Sequence, residues 1–192
     1  KERMKEWIQE KYYFDVVSCQ FCLHYYFESE VKLISLIKNI SDNLKLNGYF
    51  IGTCFDGKAV FDLLKGKKIV EGIKDENVLW KITKDYKIRS FNANKPHFNQ
   101  KINVFVKSIG ETHTEYLVNF DYFTKIMKKY GFELVQKKSF ENYYIDYEKN
   151  KNMVGLSSEE KKFSYLNNSF CYKKINNISE KEEKNIKDIL NK

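Results

Sequence analysis

The chain has one proline and eight glycines in 192 residues. So few leave no room for a long flexible linker. The glycines stand at 48, 52, 57, 66, 72, 110, 131 and 155, never two apart, so no Gly-x-Gly phosphate or dinucleotide fingerprint is present. The four cysteines, Cys19, Cys22, Cys54 and Cys171, do not form a secreted disulfide pattern. Three of them sit in apolar, strand-like contexts, where a reduced thiol packs as a small hydrophobe. Cys19-x-x-Cys22 followed by His24 has no second cysteine pair, and its first cysteine ends a strand, so no metal is expected. No stretch reaches the ~18 uncharged apolar residues of a membrane helix, and no signal peptide is visible. These absences describe an intracellular, reduced protein that does not enter a membrane.

What is present describes a folded domain. Apolar residues make up 42% of the chain and aromatic residues 16%, enough for an ordinary single core at this length. The formal net charge of +8 suggests an anionic partner, with nucleic acid the usual candidate. Lysine clusters at 65–68, 128–129 and 137–138 could follow RNA phosphates. Each alone reads as readily as a solvated face.

Taken in order, Lys1 to Glu10 has the apolar spacing of a helix end. Tyr12 to Val17 is a short β-branched and aromatic run, a buried strand. After a loop, Ser29 to Lys45 is an amphipathic helix with apolar positions at Leu33, Ile37, Ile40 and Leu44, stopped at Leu46-Asn47-Gly48. Tyr49 to Cys54 is a second strand, and strand–helix–strand with these lengths implies parallel pairing. Ala59 to Leu64 forms a short helix, and Lys65 to Ile73 shows no clear period. Val78 to Tyr86 and Ile102 to Val106 alternate as strands, with a loop between them, and Glu111 to Glu115 is polar. Asp121 to Tyr130 is a helix stopped by Gly131, and Phe132 to Phe140 is a strand. Glu141 to Met153 is helical or loose. Phe163 to Ile175 reads as a last strand, and Ser179 caps a charged final helix. The division expected is a domain over residues 1–175 and a helical tail over 176–192.

The loop between the first strand and helix carries Gln20, Phe21, His24 and Tyr25, at the strand's carboxyl end where open α/β sheets bind ligands. The run Asp15-Val16-Val17-Ser18-Cys19-Gln20-Phe21-Cys22-Leu23-His24-Tyr25-Tyr26-Phe27-Glu28-Ser29 resembles the signature of eukaryotic and viral mRNA cap guanine-N7 methyltransferases. Asn47-Gly48-Tyr49-Phe50-Ile51-Gly52-Thr53 resembles the family's next strand. Thr114-Glu115-Tyr116-Leu117-Val118-Asn119-Phe120, with Tyr130-Gly131-Phe132 beyond, resembles its cap-binding segment. Phe55-Asp56-Gly57 and residues 115–123 lean toward the capping enzymes of large DNA viruses.

The resemblance implies a class I, Rossmann-like S-adenosylmethionine-dependent methyltransferase sheet with a small antiparallel insertion near residues 78–108. It covers about residues 12–174, the C-terminal two-thirds of such a domain, so an N-terminally truncated fragment is expected. By resemblance, Gln20, Phe21 and Tyr25 contact S-adenosylmethionine, while His24 and Glu115 contact the cap guanine. The family's cap-stacking tyrosine falls on Asn167, and Tyr165, two residues earlier on the same strand face, is the expected substitute. The implied reaction needs no acid–base residue, because guanine N7 carries a free lone pair, and so no catalytic side chain is assigned. The implied partners are 5′-capped RNA and other capping-enzyme domains or subunits. The implied location is the nucleus, or the cytoplasm or virion for a viral chain. The alternative is a non-catalytic, methyltransferase-like subunit that stimulates a capping enzyme. A general RNA-binding module would need only the basic charge.

Overall fold

The computed structural model describes residues 13–148 and 155–191. The helix end read over Lys1 to Glu10 lies outside the described residues. Strand β1, Phe14–Gln20, leads through a 3-10 turn, Leu23–Glu28, into helix α1, Glu30–Asn43. Ser29 caps α1, its side-chain oxygen accepting from the Lys32 N–H at 3.3 Å. Leu33, Ile34, Ile37 and Ile40 form the buried stripe that turns α1 onto the sheet.

Strand β2, Leu44–Phe55, runs parallel to β1, with Val17 opposite Phe50 and Gln20 opposite Thr53. The helix stop comes slightly earlier than Leu46-Asn47-Gly48. Those residues lie inside β2, where the register shifts and Asn47 takes a left-handed conformation (φ 68°). Gly52 is required by close approach, since a methyl there would lie 2.2 Å from the Cys19 carbonyl oxygen and 2.4 Å from the Phe170 ring.

Strands β7, Phe132–Ser139, and β8, Asn167–Lys174, complete this first sheet in the order β1-β2-β8-β7. β8 is antiparallel to both neighbours, so the sheet is mixed. β1, β2 and β7 therefore point their carboxyl ends to the same edge. Helix α3, Phe120–Lys129, covers the sheet with α1. Between them Phe27, Phe50, Phe123, Phe132 and Tyr172 are fully buried, and each such ring contributes roughly 1.5–3 kcal/mol. The Tyr172 hydroxyl pairs with that of Thr124 at 2.8 Å, so it is not stranded in the core.

The insertion is larger than the sequence suggests. After helix α2, Gly57–Leu63, come β3, Ile69–Lys74, β4, Asn77–Asp85, β5, Lys101–Val106, and β6, Thr112–Tyr116. They form a second, antiparallel sheet in sequence order around Trp80, Ile82, Val104 and Leu117.

Helix α4, Phe140–Glu148, follows β7 directly. Helix α5, Ser158–Ser164, replaces the first part of the strand read from Phe163. Its start is a capping box in which Ser157 and Glu160 satisfy each other's backbone N–H groups. Helix α6, Glu180–Leu190, is capped by Ser179 as read. It docks on α1 through the buried Ile186 and an ion pair between Glu183 and Lys38 at 3.2 Å. No helix among the described residues is long and apolar enough to cross a membrane.

Candidate functional site

The carboxyl end of β1 is tied to β2 by Gln20. Its amide donates to Ser18 Oγ at 2.9 Å and accepts from Thr53 Oγ1 at 2.8 Å. The next residue, Phe21, sits in the left-handed region (φ 49°), with its N–H bonded to the Thr53 carbonyl at 2.8 Å. An aromatic residue pays a steric penalty in that conformation, of about 1–3 kcal/mol. Here it sends a 55% exposed ring outward from the sheet edge. The 3-10 turn then buries Leu23 and Phe27, and places His24 and Tyr25 side by side with ring centroids 4.2 Å apart.

β6 packs against this turn and supplies the facing carboxylate. Glu115 Oε2 lies 3.5 Å from His24 Nδ1, and both side chains are largely buried. These residues share one cavity of about 330 Å³, within the range of small-ligand sites. Its apolar walls include Phe21, Tyr25, Phe55 and Phe163, and its polar lining comprises His24, His113, Glu115 and Asn167. Among the described residues, no lysine or arginine lines it.

Burial sets the charge state of the pair. It lifts the Glu115 carboxyl from its ordinary 4.5 to about 7, and lowers His24 from 6.5 to about 4. His24 is thus uncharged at neutral pH, and Glu115 ionises close to it. His24 Nε2 is buried without a hydrogen-bond partner among the described residues. An unpaired buried nitrogen costs about 1–3 kcal/mol, which a bound polar ligand would relieve.

The structure brings Phe21, His24, Tyr25 and Glu115 together around the cavity, with Gln20 fixed just behind them. It does not bring Tyr165 there. The expectation rested on Tyr165 and Asn167 sharing a strand face, but β8 starts at Asn167 and Tyr165 is the C-cap of α5. The helix turns the Tyr165 ring onto Tyr144 of α4, with centroids 5.9 Å apart. Asn167 does line the cavity, with its amide tied back to the Ser164 carbonyl at 3.1 Å.

Phe163 and His113 were missed by sequence reasoning. Phe163 stands edge-on to Phe55 at 5.3 Å and closes one wall. Ser157-Ser158-Glu159-Glu160 is the signal that could have placed it, since a capping box there puts Phe163 on a helix. His113 is two residues before Glu115, hence on the same strand face.

The mRNA (guanine-N(7))-methyltransferase domain family matches residues 1–189. The mRNA cap guanine-N(7) methyltransferase of Saccharomyces cerevisiae is 27% identical over 189 residues, spanning 88% of this chain and 43% of that protein. That of Eremothecium gossypii is 32% identical, spanning 69% of this chain and 31% of that protein. The probable mRNA-capping enzyme of Acanthamoeba polyphaga mimivirus is 34% identical over 70% of this chain and 12% of its own length. The chain thus spans less than half the length of these relatives. Among solved structures, the CcbJ methyltransferase from Streptomyces caelestis superposes with a TM-score of 0.51 at 15% identity, covering 85% of this chain and 61% of that one. A putative S-adenosylmethionine-dependent methyltransferase from Listeria monocytogenes gives 0.50 at 17% identity, covering 84% and 61%. Both likenesses concern the fold.

Proposed function

The chain belongs to the mRNA (guanine-N(7))-methyltransferase family, and we propose that its cavity holds the 5′ guanine of capped RNA for methylation at N7. The observation that carries this reading is the Glu115 carboxylate facing His24 inside an aromatic cavity that no lysine or arginine lines among the described residues. Guanine presents two donors on one edge, N1–H and the N2 amino group, and a carboxylate accepts both. The aromatic walls suit the base's faces and keep water from the reacting edge.

The same cavity fits a cationic methyl donor. Among the described residues it has no fixed positive charge to repel one, His24 is held neutral, and Phe21 and Tyr25 present aromatic faces at the β1 end. Gln20, Phe21 and Tyr25 are the residues proposed to hold S-adenosylmethionine. Bound there, it supplies the methyl as an electrophile on a sulfonium. The chain's part is alignment. N7 has no proton to lose before attack, so a base is unnecessary, and holding N7 in line can supply roughly 7–11 kcal/mol of the barrier. Methylation leaves the guanine cationic, which Glu115 stabilises and a neutral His24 does not oppose. The partners proposed are capped RNA and other parts of a capping enzyme, and the location proposed is inside the cell. The four cysteines, all free thiols, suit the reducing nucleus or cytoplasm.

The test is transfer of a labelled methyl group to RNA bearing an unmethylated guanosine cap. The expected product releases labelled 7-methylguanosine on digestion. Label at any other position would overturn methylation at N7, and none while the cap is still bound would replace this reading with the non-catalytic stimulatory subunit. Cap affinity is also expected to be pH-dependent. It weakens as pH falls through about 7, where Glu115 takes up its proton, and levels off above pH 8. A titration of cap-dinucleotide binding from pH 5.5 to 8.5 checks this, and a flat profile would remove the carboxylate from guanine recognition.

A further inference from the structure

Helix α4 has no buried residue, although it holds four aromatic side chains, Phe140, Tyr143, Tyr144 and Tyr147. Tyr143 is 41% and Tyr147 51% exposed. Tyr144 packs on Tyr165, but the exposed Tyr143 and Tyr147 rings add nothing to the core, and exposed aromatic patches mark interaction sites. Together with Ser164 these rings line a groove of about 380 Å³, separate from the cavity of Glu115. The two are neighbours through one ring contact. Phe21, which lines the cavity, meets Phe140 of the groove edge-to-face with centroids 6.3 Å apart.

Cations border the rings. Lys138 Nζ lies 4.3 Å from the centre of the Tyr143 ring, and Lys161 Nζ 4.4 Å from that of Tyr144. Both lysines also contact carboxylates, Lys138 with Asp146 at 2.6 Å and Lys161 with Glu148 at 3.3 Å. An arriving phosphate must compete with those partners. Rings for bases and lysines for phosphates, side by side, are the recurring elements of single-stranded nucleic-acid sites.

We propose that the α4 groove binds the RNA nucleotides beyond the first one after the cap, stacking bases on Tyr143 and Tyr147 with Lys138 and Lys161 at the phosphates. The proposal rests on the cap reading of the adjoining cavity, and the shared Phe21–Phe140 contact gives the strand its path from one to the other.

The test compares three fluorescent probes on the full chain: the cap dinucleotide GpppA, a capped RNA of about ten nucleotides, and the same RNA uncapped. The capped RNA is expected to bind at least about tenfold more tightly than GpppA, with the gain shrinking as salt rises. Tyr143→Ala with Tyr147→Ala should remove that gain, by roughly 5- to 100-fold for each base unstacked, and leave GpppA affinity unchanged. Tyr143→Phe with Tyr147→Phe should keep it, because a phenyl ring still stacks. A capped RNA no tighter than GpppA, or a gain that survives the alanine pair, overturns the proposal and leaves the groove to a protein partner. Tyrosine-dependent binding of both RNAs without any GpppA binding supports the groove and overturns the cap reading instead.

Discussion

Glu115→Gln is expected to abolish useful cap binding while making the fold more stable at alkaline pH. Glutamine offers one acceptor where the carboxylate offers two, and turns an amide donor toward a guanine donor. Hydrogen bonds to charged groups are worth about 1.5–3 kcal/mol each, so losing two weakens cap affinity by roughly two to four orders of magnitude. The stability change has the opposite sign. Burial raises the Glu115 carboxyl to about 7 from its ordinary 4.5. Between those values the folded chain holds a proton that the unfolded chain has lost. The group's contribution is therefore intact below pH 4.5 and is lost as pH rises through 7. Glutamine does not ionise and escapes that loss. The variant should match the parent below pH 4.5 and exceed it above pH 7, by up to about 3 kcal/mol. His24, held down near 4, titrates in the other sense and does so in both proteins. Cap titration and urea unfolding at pH 4.5 and 8 check the two halves. A variant that binds the cap normally, or is less stable at pH 8, contradicts the role assigned to Glu115.

Asn119→Ala should be the more damaging change for stability, by about 3 kcal/mol, a drop of roughly 6–12 °C in Tm for a chain of this size. Asn119 is 2% exposed, caps α3 by accepting from the Tyr122 N–H at 3.2 Å, and donates to the carbonyls of Lys95 at 2.7 Å and Asn92 at 3.0 Å. One side chain thus joins the start of a core helix to the loop between β4 and β5. Alanine leaves the Tyr122 N–H and the Lys95 carbonyl without this partner, while the Asn92 carbonyl keeps the Lys95 N–H at 3.1 Å. Asn119→Asp separates this account from simple capping. Aspartate is as good a helix cap as asparagine in general. Here it would turn a carboxylate oxygen toward those carbonyls, and it should destabilise at least as much as alanine. Thermal unfolding of the three proteins decides it, and an aspartate variant as stable as the parent would refute the bridging role.

The residues that explain themselves locally were the ones legible in sequence. The α1 stripe and the caps at Ser29 and Ser179 each follow from short-range chemistry and stand where they were read. The strand read as buried over Tyr12 to Val17 instead spans Phe14–Gln20 at the sheet edge, with Phe14 and Val16 about half exposed. β6 was not legible, because its cavity-facing residues His113 and Glu115 are polar where a strand would ordinarily carry core residues. A site displaces the alternation that would reveal it. β3 was hidden because Gly72 makes room for the Trp80 indole, which a methyl would approach to 2.2 Å, and so lacks a side chain of its own. Tyr165 was misplaced because an aromatic run was read as strand when the capping box before it starts a helix. The constellation of Gln20, Phe21, His24, Tyr25 and Glu115 was named from resemblance. Its convergence depends on β6 meeting the 3-10 turn, a contact between residues some ninety positions apart that no local pattern carries.

The central claim is that this cavity recognises guanine, and the most direct measurement is competition between GpppA and ApppA for the chain. Adenine lacks the N1–H and N2 donors that Glu115 accepts, yet has the same size and stacking faces. GpppA should bind at least a hundredfold more tightly than ApppA, and Glu115→Ala should bring the two together. Equal binding of GpppA and ApppA by the unaltered chain would contradict the account.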